Sequence, residues 1–597
     1  MELLNLDGVI EKGVFEIPSY QRGYAWQIRQ LEDFWNDLEH VSKLGNQFHY
    51  MHSLTLRESE NEFESSAFEI IDGQQRLATS LILLGLLAKI TQNKDPKYSL
   101  INLEPILSYK YYGLSEAFRA ITEEEKDLEA FKTSFYAKNL IDAYAFFKEK
   151  ISDTPVGTLE KMFDALIKKM LFSVVGLNDN RIDPFSSFET INNRGKDLST
   201  LELLKNRLHF VAHKICDEGD LENLQNEIND TYTRIYHNLR FFKDDHLEDF
   251  LKYFVAYYYG EKRDFKERLL NTAFDAHKKY DDLYDEYEKI NDLLLHLSYS
   301  SKVWYFLHTL DDEELRIEIT PKMRDLLDKM RRLNALSYNA FLPLLLSLLT
   351  IQLAVRSGSE RHYTTKELEG LLEYLERFGF LIYGVADGKK TAKNEWIELA
   401  FKAIQAYRFW GDKITIEDLP TLEKNFFKGK YSGLELLEES IHSKKNAEKW
   451  YRWGKALNYL LYEYELRHNP ETTLNFDSSI ESIEHILPQN PDQGYSAKEK
   501  NWAKNPNIVH ALGNLLLIPK NANSSLSNKP FEEKRKAYLK GSYSEKEVAK
   551  NASFGIVEIQ KRSEKLLDFL IARYRIAELV GENAIKAFKN ALLKEIK

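Results

Sequence analysis

Cysteine is all but missing. Cys216 is the only one in 597 residues, which excludes a disulfide framework and any Cys-rich zinc site and fits a reducing, cytoplasmic setting. With 14 prolines and 26 glycines, the chain holds no internal repeat, low-complexity tract or Pro/Ser linker, and its apolar and aromatic content belongs to folded protein. Long apolar runs are missing too. The most apolar stretch, Ala340 to Val355, contains Pro343, Ser347, Thr350 and Gln352 and falls short of a membrane span, so it is expected to be a buried helix. Met1 to Gly13 carries acidic residues early and has no basic-then-apolar pattern. No membrane partner is expected. Positive charge is also scarce, with a net charge of −11, but the average hides a split. Ala497 to Lys597 holds 20 Lys/Arg against 11 Asp/Glu, a local +9 that leaves −20 on the remainder. A basic C-terminal module suits phosphate contact, and equally a solvated lysine-rich helix surface.

What is abundant is helical periodicity. Apolar residues recur at three-to-four spacing over Asp127 to Lys150, Leu159 to Leu171, Glu248 to Lys262, Tyr280 to Leu297, Glu313 to Leu333 and Glu367 to Phe380. Strand-like runs are few: Phe68 to Ile71, Leu171 to Leu177 and Leu515 to Ile518. The length exceeds one hydrophobic core, so two to four domains are expected. Residues 216–440 read as an aromatic-rich helical scaffold without a chemical motif. Gly384 to Thr391 resembles a phosphate-binding P-loop in outline, but it has three residues between its glycines and an extra lysine. The backbone could not wrap a phosphate in that register, so a surface turn is expected.

Three N-terminal segments concentrate polar and aromatic groups. In Ile17-Pro-Ser-Tyr-Gln-Arg-Gly-Tyr-Ala-Trp26, Tyr20, Gln21, Arg22, Tyr24 and Trp26 could stack on and hydrogen-bond a base or sugar, or plug the start of a helix from Arg29 to Leu44. In Phe68-Glu-Ile-Ile-Asp-Gly-Gln-Gln-Arg-Leu77, a strand ends at Asp72-Gly73 and turns into a helix with Leu77, Leu81, Leu84 and Ala88 as its buried stripe. A helix start seats phosphate, Arg76 could neutralise its charge, and Asp72 could hold a metal ion or polarise water. Asp72 and Gln75 also satisfy a capping box. In Phe188 to Glu202, Asn193-Arg194-Gly195 reads as a tight turn whose Asn192 and Arg194 could reach a nucleotide or close the loop, while Ser199 and Glu202 form a second capping box.

The C-terminal third holds Ile483-Glu-His-Ile-Leu-Pro488, Leu512-Gly-Asn-Leu-Leu-Leu517 and Asn521 to Asn528. Hydrolysis of a phosphodiester needs a base to activate water, a role for which His485 is the candidate. The spacing resembles the ββα-metal HNH fold, and by that resemblance Asn514 would orient His485 through a backbone contact. Glu484 and Asn523 offer oxygen ligands suited to Mg2+ or Mn2+ rather than zinc. Lys534 and Arg535 are candidate phosphate contacts or part of a solvated helix face.

Together the segments resemble one family. Ile-Pro-x-Tyr-Gln-Arg-x-Tyr-x-Trp, Asp-Gly-Gln-Gln-Arg and Phe-x-x-Ile-Asn-x-Arg-Gly-x-x-Leu-Ser, over about residues 1–215, resemble the N-terminal half of GmrSD-type, modification-dependent (type IV) restriction endonucleases, including phosphorothioation-sensing nucleases of the SspE type. The segments around His485, Asn514 and Asn523, with the flank through Lys534-Arg535, resemble the C-terminal half over about residues 441–575, a ββα-metal HNH nuclease. Asn523 stands where the best-known HNH enzymes have His. The resemblance implies a mainly α multidomain chain: a ParB/sulfiredoxin-like α/β domain at 1–215, a helical scaffold at 216–440, and an HNH domain embedded in helices at 441–597. It implies that Asp72, Gly73, Gln74, Gln75, Arg76, Asn192 and Arg194 handle a nucleoside triphosphate (GTP, ATP or UTP), with Asp72 and Arg76 acting in its hydrolysis. Tyr20, Gln21, Arg22, Tyr24 and Trp26 would sense a DNA modification. The expected activity is nucleotide-regulated, metal-dependent cleavage of modified phage DNA in anti-phage defence. Three alternatives stay open: attack on unmodified DNA licensed by phosphorothioated host DNA, a nucleotide-switched DNA-binding protein with an inactive HNH domain, and an RNA-cleaving toxin. Homo-oligomerisation stays open as well.

Overall fold

The computed structural model describes residues 2–18, 21–59, 67–92, 98, 106–110, 113–177, 198–240, 242, 244–275, 278–313, 315, 317–333, 338–355, 362–385, 392–409, 411–422, 449–474, 480–491 and 494–597. They fall into two compact units, Met1–Leu315 and Arg316–Lys597. The chain is mainly helical, with one small mixed sheet near the N-terminus.

The first unit is built on six strands: β1 (Glu2–Asn5), β2 (Val14–Ile17), β3 (His49–Glu58), β4 (Ala67–Asp72), β5 (Leu107–Tyr109) and β6 (Met170–Gly176), in the order β1-β6-β3-β4-β2-β5. β1 and β6 pair antiparallel, as do β3 and β4; the other pairings are parallel. Of these, β4 and β6 match the strands expected from sequence. β3 escapes an alternation test because its register shifts between Tyr50 and Ser53 and His52 adopts a positive φ of 64°, so the apolar side chains do not alternate cleanly.

The helices of this unit include α1 (Ile28–Lys43), α2 (Gln74–Ile90), α3 (Phe135–Ser152), α4 (Val156–Lys169) and α5 (Thr200–Ile215). α2 is apolar all round: Leu77, Leu81, Leu84 and Ala88 are buried as expected, and so are Ile82, Leu83, Leu86 and Leu87. A helix with no polar face must be enclosed, and α2 packs against α3 and α4. α3 begins at Phe135 rather than Asp127 because the Ser134 hydroxyl accepts the Ala137 amide at 3.1 Å and so caps the helix there. α5 opens on the expected Ser199–Glu202 capping box.

Residues 216–440 form no separate body among the described residues. Helices α6 (Glu218–Asn238), α7 (Asp244–Tyr259) and α8 (Leu283–Thr309) belong to the first unit, and α9 (Pro321–Arg332), α10 (Leu342–Ala354), α11 (Thr365–Phe378) and α12 (Lys393–Arg408) to the second. The stretch read as a buried helix is α10, and no described helix is long and apolar enough to cross a membrane. Residues 386–391 of the P-loop-like stretch lie outside the described residues.

The second unit continues with α13 (Lys455–His468), β7 (Glu481–His485), β8 (Leu515–Pro519), α14 (Lys520–Leu526), α15 (Phe531–Tyr538), α16 (Tyr543–Ala549) and α17 (Ile556–Arg573). β7 and β8 pair antiparallel, and β8 runs directly into α14. The core of this region joins Ile486, Leu487, Leu516, Ile518, Leu526, Tyr538, Val548 and Ile559. β7 reads Glu-Ser-Ile-Glu-His, too polar to register as a strand by hydrophobic pattern.

Candidate functional site

The polar ends of β7 and β8 carry the densest chemistry. Successive residues of a strand face opposite ways, so Glu484 and His485 part company. Glu484, 4% exposed, turns inward: its Oε1 accepts the Lys534 ammonium at 2.5 Å and the Tyr538 hydroxyl at 3.1 Å. Lys534 also donates to the His485 carbonyl at 2.9 Å and is fully buried. Burial pushes the Glu484 carboxyl up and the Lys534 ammonium down from their ordinary values, each shift opposed by the partner's charge.

This pair involves two of the residues singled out in the sequence. Lys534 cannot contact a phosphate, because it is sealed in the core as the counter-ion of Glu484. Of the two oxygen ligands offered for Mg2+ or Mn2+, Glu484 has Lys534 as its counter-ion, and Asn523 directs its Nδ2 to Ser482 Oγ at 2.8 Å and to the Ile483 carbonyl at 3.1 Å. Among the described residues no group of three His, Cys, Asp or Glu side chains could hold a metal ion. Arg535 is half-buried and donates from Nε to the Ala549 carbonyl at 2.8 Å.

His485 faces the other way and meets a residue that sequence reading passed over. Its Nε2 lies 3.1 Å from Nδ1 of His510, both rings being buried. Tyr451 lies near parallel to His510, with ring centres 5.9 Å apart, and tilts against His485 at 5.1 Å. The Gln489 amide sits 3.4 Å from His485 Nδ1. Burial first, then the neighbouring His510 and Lys534, lowers the His485 pKa to about 3. The ring is therefore neutral, in its proton-accepting form, at neutral pH. His510 stands alone in an apolar stretch, Ile508 to Leu512, with nothing in its spacing to link it to His485.

Asn514 ties two segments together. Fully buried, it accepts the Leu487 amide at 2.8 Å and donates to the Leu487 carbonyl at 2.9 Å and the Val509 carbonyl at 2.7 Å. One side chain thus ties the segment just after His485 to the residue just before His510. Asn514 is held in turn by α17. Arg562 donates to the Gly513 and Leu515 carbonyls at 2.8 and 2.7 Å, and Ser563 Oγ accepts the Gly513 amide at 2.8 Å. A Cβ on Gly513 would fall 2.1 Å from the Ile559 carbonyl, so only glycine lets the helix come this close.

In the first unit the N-terminal segments come together. Gln74 donates to the Arg22 carbonyl at 3.0 Å; Gln75 donates to the Gly23 carbonyl at 2.9 Å and accepts the Ala25 amide at 2.8 Å. Gly23 lies against Tyr136, whose hydroxyl donates to Glu202 at 2.5 Å at the start of α5. Gln21 donates to the Ile70 carbonyl, Tyr24 is buried with its hydroxyl 2.7 Å from Thr79 Oγ1, and Trp26 packs on Phe34. Gln21 and Tyr24 thus face the protein interior, while Trp26 is half-buried against Phe34. Arg22 is buried as well. Tyr20, Asn192 and Arg194 lie outside the described residues.

The expected strand–turn–helix is present, but Asp72 does not cap it. The N-cap of α2 is Gly73, at φ 99°, with no side-chain cap. Asp72 instead accepts Ser53 Oγ at 3.0 Å and Arg76 at 3.2 Å, and Arg76 also donates to the Ser53 carbonyl at 2.6 Å. A Cβ on Gly73 would lie 2.9 Å from that same carbonyl. α5 adds a buried lysine unremarked in the sequence, Lys205, whose pKa burial lowers to about 7.

Comparison with known proteins follows the same division. Residues 3–209 match the GmrSD restriction endonuclease N-terminal domain, and residues 437–569 match the GmrSD restriction endonuclease C-terminal domain. No curated protein matches the chain. The chain therefore belongs to the GmrSD restriction endonuclease family, nucleases that act on DNA.

Proposed function

We propose that residues 441–597 of the second unit are an HNH-type phosphodiesterase domain and that His485 is its general base. The observation that carries this reading is the β7–β8–α14 arrangement, with His485 ending the first strand, Asn514 entering the second and Asn523 on the helix that follows. In the reaction His485 takes a proton from water, the hydroxide forms the new P–O bond, and the bond to the deoxyribose oxygen breaks; that oxygen leaves with a proton from solvent. Asn514 keeps the base in place. Mg2+ or Mn2+ remains the proposed cofactor, although Glu484 is committed to Lys534 and no step is assigned to the ion. Its test is loss of cleavage in EDTA, restored by either ion and not by zinc.

Residues 1–215 of the first unit are proposed to be a ParB/sulfiredoxin-like domain that binds and hydrolyses GTP, ATP or UTP at Asp72 to Arg76 and so regulates cleavage. The turn from β4 into α2 supports this reading, since a helix start favours anions. The proposed substrate is modified phage DNA. A digest of modified and unmodified phage DNA, with and without each nucleotide, tests both halves. Cutting confined to modified DNA and dependent on a nucleotide is the expected result. Equal cutting of both substrates without nucleotide would sink the regulatory reading and leave only a nuclease.

A further inference from the structure

With His485 as the base, one buried group has no part in the reaction so far: His510, a second imidazole set against the first. We infer that His510 is the positioning residue of His485, accepting a hydrogen bond from its Nε2 and so setting which ring nitrogen can take a proton. This inference rests on His485 being the base.

A neutral imidazole carries one N–H and one lone pair, and the bond made by one nitrogen decides which of them the other presents. His485 Nε2 and His510 Nδ1 are 3.1 Å apart, so one donates and the other accepts. If His485 accepted there, its Nδ1 would bear the proton and the ring would have no lone pair left for water. If His510 accepts, His485 bears its proton on Nε2 and Nδ1 is the basic nitrogen; the Gln489 amide lies 3.4 Å from Nδ1 and 3.5 Å from Nε2. Only the second arrangement agrees with a general base. It also keeps a hydrogen-bond acceptor on Nε2–H when the ring becomes a cation, as the carboxylate does behind the histidine of a catalytic triad.

The surroundings hold this pair in register. Tyr451 covers both rings. Asn514 bonds Leu487 on one side and Val509 on the other, so the two histidine-bearing segments cannot separate without breaking a buried three-bond clamp. A histidine merely filling space would need neither the facing nitrogens nor the shared clamp.

The test compares the full-length wild type with His485→Ala, His510→Phe and His510→Asn. His510→Phe keeps an aromatic ring and loses the acceptor; His510→Asn offers an amide oxygen near the place of Nδ1. With folding checked by thermal melting, His510→Phe is expected to lower kcat about 10–100-fold, the usual loss for an orienting partner, with KM for DNA unchanged. His510→Asn should recover most of that loss. Selective ¹⁵N-histidine labelling of the wild type, with the His485 signal assigned through His485→Ala, gives a second readout that does not depend on any His510 variant folding. His485 is expected as the Nε2–H tautomer, and the Nδ1–H tautomer would overturn the inference. So would wild-type kcat in His510→Phe, or equal failure of Phe and Asn, while His485→Ala is dead. Wild-type cleavage by His485→Ala would instead remove the base reading itself.

Discussion

At the scale of single residues, the sharpest contrast is between two neighbours on one strand. His485 is presented to His510 and Gln489, while Glu484 is locked to Lys534 in the core. His485→Ala should therefore abolish cleavage, by about 10²–10⁴-fold in rate, and leave the melting temperature nearly unchanged, as gel digestion and calorimetry would show. Lys534→Met should do the opposite first: it strands a buried carboxylate and is expected to cost about 3–5 kcal/mol of stability. Adding Glu484→Gln to it removes the stranded charge and should restore much of that loss in a denaturant titration. If the double variant is no more stable than Lys534→Met alone, Glu484 is not held as the partner of Lys534.

At the scale of elements, α17 decides the shape of the β7–β8 site without contributing a reacting group. Its Arg562 and Ser563 hold the backbone on either side of Asn514, and its Ile559 carbonyl closes on Gly513. Gly513→Ala must push the helix and the strand entry apart, so it is expected to destabilise the second unit by about 1–3 kcal/mol or more and to lower activity with it. Wild-type melting behaviour in that variant would mean the contact is looser than the geometry states. The motif Leu512-Gly-Asn-Leu515 was legible as a site because of Asn514, whereas the reason for its glycine lies some 45 residues downstream in the sequence and could not be read locally.

At the scale of the whole molecule, the proposal joins a nucleotide-handling unit to a cutting unit. Arg76→Ala tests that link, because Arg76 ties the start of α2 to β3 through Ser53 and to Asp72. A folded Arg76→Ala protein is expected to lose nucleoside triphosphate hydrolysis and to cut DNA at one rate whatever nucleotide is added. Wild-type hydrolysis by that protein, measured as phosphate release, would place the nucleotide site elsewhere. The fold also changes what Gln21→Ala can report. An accessible Gln21 would make that variant a probe of modification sensing, but the side chain is 2% exposed and bonded to Ile70. Its first effect should be on stability.

The sequence by itself determined the elements whose signals are local. α2, α5 and α10 follow from apolar spacing and capping residues, and β4, β6 and β8 from apolar runs, because burial and backbone capping leave their mark within a few residues. It also singled out His485, Asn514 and Asn523 as candidates for one site, since their order and spacing resemble a family pattern. Tertiary structure alone decided what each side chain faces. The facing of His510 on His485, the burial of Lys534 against Glu484, and the use of Gln74 and Gln75 to clamp residues 22–25 all depend on contacts between segments distant in sequence. A polar residue looks the same in a sequence whether it meets solvent or the core. The free energy of burying a charge or an amide turns entirely on the partner that folding brings to it.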